Sequence, residues 1–221
     1  ITLDGISLTD EDIRGFNRIF ITACGSAYHV GVVGKYVIEE LARIPVEVDV
    51  ASEFRYRYPI VDDKTLVILI SQSGETADTL EALRESKKKG ARTLSVVNVV
   101  GSSIASESDD VLYTWAGPEI AVATTKAYST QLTLIYLLAI RFALAHKTIT
   151  DTIAYDLVDE IKRIPEKIEK VFESEEYIER LAERYTYLSD AYFIGRNTDY
   201  ALALEASLKL KEISYIHSEA Y

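Results

Sequence analysis

The sequence predicts an α/β protein of three layers, a parallel sheet with helices on both faces. Three observations carry that expectation. Short apolar runs alternate with longer amphipathic stretches, the pattern of strands joined by crossover helices. One run, Leu66–Ile70, is apolar at every position, as in a strand buried on both faces. Small-residue segments, Cys24-Gly25-Ser26-Ala27 and Ser71-Gln72-Ser73-Gly74-Glu75-Thr76, follow two of the runs, where strands would hand over to helices.

The elements read in order as follows. Asp10–Arg18 is polar and leads into a short strand over Arg18–Ala23. Tyr28–Ala42 has helical apolar spacing. Pro45–Ala51 alternates, Val46, Val48 and Val50 against Glu47 and Asp49, which marks a half-buried strand. Glu53–Pro59 is polar and aromatic, a short helix and loop. Beyond Leu66–Ile70, the charged stretch Asp78–Lys89 predicts a helix stopped by Gly90, a C-terminal cap. Thr93–Val97 and Val111–Thr114 read as strands, with a loop over Val99–Ser103 and a short helix over Ile104–Ser108 between them. Thr124–His146 reads as a long apolar helix. Its most apolar part, Leu132–Ala145, spans 14 residues and contains Arg141, too short for a bilayer and better suited to a core.

Asp151–Leu188 is charged and helical, with Pro165 breaking it into two helices. Ala191–Asn197 then repeats the succession of strand, glycine and polar turn, and Tyr200–Ile213 is a helix behind it. The order matches that of Ile19–Leu41. The expected organisation is a first α/β domain over 1–150, a helical bridge over 151–186, and over 187–221 the start of a second α/β domain.

Bulk properties narrow the function. The 221 residues include 24 basic and 35 acidic ones, a net charge of −11. That excess argues against nucleic acid as a partner. It leaves room for an anionic ligand held locally by backbone N–H groups. Cys24 is the single cysteine, so no intrachain disulfide forms and a reducing compartment fits. No signal-peptide pattern opens the chain. A soluble, cytoplasmic protein with no membrane contact is expected. Methionine is absent, even at position 1, and the chain stops at Tyr221; both suggest a piece of a longer polypeptide.

Two clusters carry candidate chemistry. In an open α/β sheet, ligands sit beyond the carboxyl ends of strands. Ser71–Thr76 occupies such an end. The following helix offers unpaired N–H groups and a positive dipole end, Gly74 permits close backbone approach, and Ser71, Ser73 and Thr76 add hydroxyls. One such hydroxyl would be a helix cap; three with a glycine favour anion binding. No glycine–lysine pair marks a Walker A loop. Cys24-Gly25-Ser26 ends a neighbouring strand and could line the same pocket. On the last helix, Glu205, Lys209 and Glu212 share one face, either as a structural ion-pair face or as a poised base with its ammonium.

Taken in order, Ala23-Cys24-Gly25, Ala51–Arg57, Ser71–Leu80, Thr125-Lys126-Ala127 with Thr130-Gln131-Leu132, and Leu208–His217 resemble the isomerase part of the glutamine–fructose-6-phosphate aminotransferase family. The serine-rich loop marks the broader sugar isomerase (SIS) fold; the Lys209–His217 segment together with Ala51–Arg57 is much more specific. The resemblance covers nearly the whole chain. It implies flavodoxin-like SIS domains that make glucosamine 6-phosphate from fructose 6-phosphate and ammonia, with no cofactor and no metal. It implies a homodimer, and a separate glutaminase domain supplying the ammonia.

On that resemblance, Ser71, Gln72, Ser73 and Thr76 match the sugar-phosphate loop, and Ser26 a hydroxyl residue near the sugar, with Cys24 and Gly25 beside it. Val122, Ala123 and Thr124 match another wall of the pocket. Glu212 matches the base that moves a proton between C1 and C2, and Lys209 the lysine beside it. The family's glutaminase domain, ring-opening histidine and Schiff-base lysine have no counterpart in these residues, and Ala27 stands where many relatives carry serine. The chain by itself is therefore expected to bind sugar phosphate weakly and not to turn over. Other SIS phosphosugar isomerases or deglycases, and sugar-phosphate-sensing SIS modules, are the rival readings.

Overall fold

The computed structural model describes residues 2–221. The chain begins with helix α1 (Asp10–Gly15) and continues β1 (Arg18–Ala23), α2 (Ser26–Ala42), β2 (Val46–Val50), α3 (Ala51–Tyr56) and β3 (Thr65–Ser71). Then come α4 (Ala77–Lys88), β4 (Arg92–Val97), α5 (Ser103–Glu107), β5 (Asp110–Tyr113) and α6 (Lys126–His146). The five strands pair in parallel in the order β2-β1-β3-β4-β5. This is the flavodoxin-like succession. Helix α1, absent from the sequence expectation, is held by a capping box in which the Thr9 side chain and Asp12 satisfy each other's backbone N–H groups.

Strand periodicity divides the core. Ile19, Ile21, Leu66, Ile68, Ile70, Leu94 and Val96 face α1, α2 and α6. Phe20, Val67 and Leu69 point the other way, onto Ala51, Phe54, Ala82 and Leu83 from α3 and α4. Every residue of β3 is buried, which explains its unbroken apolar sequence: both of its faces are covered.

Helix α6 is longer than the apolar run that marks it. Its 21 residues would suffice by length and composition to cross a membrane. Packing decides otherwise: Ile135, Leu138, Ala139, Phe142 and Ala143 are buried in the core cluster that α2 shares, and Arg141 pairs with Asp10 at 2.6 Å.

Beyond α6, three helices rather than two follow: α7 (Asp151–Lys162), α8 (Ile164–Phe172) and α9 (Glu175–Arg184). Pro165 sits in the first turn of α8, where its missing N–H costs nothing. Neither α8 nor α9 buries a residue. Then come β6 (Asp190–Phe193), α10 (Thr198–Ser214) and β7 (His217–Ala220), with β6 and β7 paired in parallel. Strand β7 was not expected from its sequence, His-Ser-Glu-Ala, which lacks apolar alternation.

The succession β1-α2-β2 recurs in β6-α10-β7 down to backbone detail. Helices α2 and α10 each have 17 residues. Their N-caps, Gly25 (φ 58°, ψ −136°) and Asn197 (φ 57°, ψ −128°), share one unusual conformation. Both helices end on a left-handed residue, Arg43 and Tyr215. The two helices pack against each other, with Ala201 and Leu204 of α10 joining the first core.

Candidate active site

The strand order places a switch point between β1 and β3. Helix α2 leaves β1 for one face of the sheet and α4 leaves β3 for the other. The chain ends of these strands therefore splay apart and leave a crevice. A cavity of about 310 Å³ lies there. Cys24, Ser26 and Ala27 line it from the β1–α2 turn, and Ile70, Ser71, Gln72, Ser73 and Thr76 from the β3–α4 turn. Val122, Thr124, Ala127 and Gln131 line it from the loop before α6 and from α6 itself, Lys209 and Glu212 from α10. A larger cavity, near Ser7, Asp63 and Arg92, opens at the amino ends of the strands, the side where such folds do not hold ligands.

The β3–α4 turn is built by its own hydroxyls. Ser71 Oγ accepts the Gly74 N–H at 3.1 Å and shares a hydrogen bond of 3.0 Å with Thr76 Oγ1. Ser73 Oγ accepts the Glu75 N–H at 3.2 Å. Gly74 holds φ +66°. Thr76 is the N-cap residue of α4, yet its side chain makes no capping bond. The first N–H groups of α4 thus have no side-chain cap, and the positive end of the helix dipole lies next to the cavity that Ser73 and Thr76 line. Capping alone therefore does not account for these hydroxyls. Glu75, the acidic residue in the turn, is drawn away: its carboxylate accepts the Ser103 N–H and hydroxyl, both at 2.7 Å. Those two bonds hold its carboxyl below the ordinary range.

Of the residues singled out in the sequence, Gly25 and Ala123 do not line the cavity. Gly25 shapes the turn instead, through its positive φ. Cys24 is free and partly buried, packed beside Phe20 and its neighbours. The structure also brings in residues that sequence reasoning passed over as site residues: Ile70, Ala127 and Gln131 in the wall, and His29, which meets Glu205. Gln131 is polar yet 2% exposed; with Ser129, Thr130 and Thr133 as polar neighbours on the same helix, nothing in the sequence alone singles it out.

Helix α10 separates the three residues of its charged face. Glu205 turns inward against α2, and Glu212 reaches the cavity. Lys209 stands between them, 3.5 Å from Glu205 and in a close ion pair with Glu212. Such a carboxylate, on a helix beside an ammonium and across a cavity from the β3–α4 turn, can move a proton on a bound molecule.

The SIS domain family profile matches residues 12–141. The chain belongs to the SIS domain family. Over its full length this SIS chain is 61% identical to a glutamine–fructose-6-phosphate aminotransferase (isomerizing) of Clostridium tetani and 59% identical to that of Caldanaerobacter subterraneus. It spans 36% of each of those proteins. Among solved structures, it superposes with a TM-score of 0.93 on the C-terminal domain of glucosamine-fructose-6-phosphate aminotransferase from Francisella tularensis. That match has 42% identity and covers 100% of this chain and 63% of the other.

In this SIS domain the loop before α6 is tied by one carboxylate. Glu119 accepts the Thr124 hydroxyl at 2.5 Å and the Thr125 N–H and hydroxyl at 2.7 and 3.0 Å. Burial alone would raise the Glu119 carboxyl, but the bonds from Thr124 and Thr125 outweigh it and hold it below the ordinary value. A group whose folded-state value is depressed stabilises above its unfolded value and loses that contribution as pH falls through the folded one. Acidification below the ordinary glutamate value, 4.5, is therefore expected to loosen this loop. Trp115, the single tryptophan, stands at the loop's start and reports on it. A fluorescence titration should show a transition in that window, absent in Glu119→Gln. An identical transition in both proteins would refute the assignment.

Proposed function

We propose that this SIS chain is the sugar-phosphate-binding and proton-transferring part of an aminotransferase that makes glucosamine 6-phosphate from fructose 6-phosphate and ammonia. One observation carries the reading: a single cavity joins an uncapped helix terminus ringed by hydroxyls to a carboxylate–ammonium pair. Identity of 59–61% along all 221 residues to aminotransferases of that name supports it over other SIS chemistries.

The geometry suggests how the reaction would proceed. The phosphate would sit on the α4 N-terminus among Ser71, Gln72, Ser73 and Thr76, and so fix the far end of the sugar near α10. Glu212 would carry a proton between C1 and C2, and Lys209 would balance charge that develops on the neighbouring oxygen. In this reading, ammonia arrives from a glutaminase domain outside this chain, and the protein works as a cytoplasmic homodimer. The uncovered apolar side chains of α8 and α9, Val171, Phe172 and Ile178 among them, support association through this part. Residues 1–150 would form one SIS unit, 151–186 a bridge, and 187–221 the beginning of a second unit related by the β-α-β repeat.

Calorimetry with fructose 6-phosphate, followed by a crystal soak, tests the proposal. Saturable binding with phosphate density on Ser71–Thr76 is expected. Phosphate seated elsewhere, with that turn closed, would sink it.

A further inference from the structure

Glu205 lies one turn before Lys209 and is 6% exposed. Both of its oxygens are engaged. Oε1 accepts the Ser26 hydroxyl at 2.8 Å and lies 3.5 Å from the Lys209 ammonium. Oε2 lies 2.7 Å from His29 Nδ1; a carboxylate only accepts, so this nitrogen carries the proton. Tyr128 of α6 is a further titratable group close enough to feel the Glu205 charge. Burial, and then the Glu205 charge, push its phenol up, so it stays neutral. A carboxylate is kept in such a place only when it is paired and hydrogen-bonded. Here the partners come from the first turn of α2, 176 and 179 residues away in sequence.

This arrangement has a chemical consequence. Among the described residues, Lys209 is the one ammonium in contact with both Glu205 and Glu212. Paired with Glu212 alone, its whole charge would stabilise that carboxylate and weaken it as a base. Shared with Glu205, it stabilises Glu212 less and is anchored from both sides. We propose that Glu205, held by Ser26 and His29, is a positioning residue that divides the Lys209 charge and keeps Glu212 basic enough to take a proton from a bound sugar. The inference rests on the function proposed above. It also assigns Ser26 a direction: its hydroxyl hydrogen is committed to Glu205, so toward a ligand Ser26 accepts a hydrogen bond from a sugar hydroxyl.

The test uses Glu205→Gln and Glu205→Asp in a protein of the relatives' full length carrying this chain, assayed with fructose 6-phosphate and ammonium. In Glu205→Gln, kcat should fall about 10- to 100-fold, with the acid limb of the kcat profile moved to lower pH as Glu212 becomes a weaker base. Fructose 6-phosphate affinity, set by the distant β3–α4 turn, should stay within about threefold. Glu205→Asp keeps the charge but shortens the side chain, and should retain the original acid limb. A packing role predicts the reverse order, since Gln is the better steric match. Should Glu205→Gln fail to fold, His29→Ala removes one anchor and should lower kcat in the same direction. Unchanged kcat and pH profile in the folded variants overturn this inference alone; a wild-type protein that binds no sugar phosphate overturns the functional reading with it.

Discussion

Replacing Glu212 with glutamine is expected to abolish sugar isomerisation, lowering kcat by about 10³-fold. Affinity for fructose 6-phosphate should change less than about threefold in the same variant. The split follows from where the groups stand. The turn proposed to bind phosphate belongs to β3 and α4, whereas Glu212 enters the cavity from α10. Glutamine keeps the shape and can still meet Lys209, but it cannot accept the proton that must move between two carbons. Isotope exchange at C2 of the sugar, in a protein of the relatives' length, measures the step directly. Wild-type exchange in the variant would remove Glu212 from the chemistry and point to another base.

Gly74→Ala is expected to damage the same cavity from the opposite side. A Cβ at this position would lie 2.0 Å from Ser102 Oγ and 2.5 Å from Ser102 Cβ. Ser102 is 3% exposed and cannot swing into solvent, and the Gly74 carbonyl accepts the Ile104 N–H at 3.0 Å, which ties the turn to α5. With φ at +66°, the alanine adds backbone strain to a collision with the core. The combined cost should be about 2–4 kcal/mol in unfolding free energy, read by denaturant titration. Sugar-phosphate affinity should fall at least about tenfold as the turn shifts. The double variant with Ser102→Gly should recover part of the loss, because it removes the collision and leaves only the strain. Additive losses in that cycle would show that the two residues do not meet as described.

The sheet was legible in the sequence because burial on two faces leaves a simple mark: Leu66–Ile70 could hardly be anything but a central strand. The β3–α4 turn was legible as a turn, because a glycine and three hydroxyls after an apolar run mark where strand hands over to helix, and its residues do line a cavity. What the sequence hid is long-range. Glu205 looked like one of three charges on a helix face, and its inward turn depends on Ser26 and His29, far away in the chain. Strand β7 was hidden because its pairing with β6, and the buried Ser207–Ser218 hydroxyl pair at 2.9 Å, compensate for a sequence with little strand character. Helix α1 was hidden because its capping box lies in a stretch that otherwise reads only as polar.

The two halves of the cavity rest on supports of unequal strength. The β3–α4 turn grows out of a five-stranded sheet covered on both faces. Glu212 rides on α10, whose own sheet has only two strands, with Tyr192 and Ile213 largely uncovered beside it. Within these 221 residues a two-stranded sheet is marginal, and α10 is held chiefly by its packing on α2, so in this chain the unit opens at lower free energy than the five-stranded sheet. On gentle heating, amide exchange should appear first in β6, β7 and the end of α10, while β3 stays protected. The chain would then pass through a state that still grips a phosphate but has already released the residue placed to act on the sugar. Affinity for the ligand would be the last property to melt, and so a poor gauge of whether the cavity is whole.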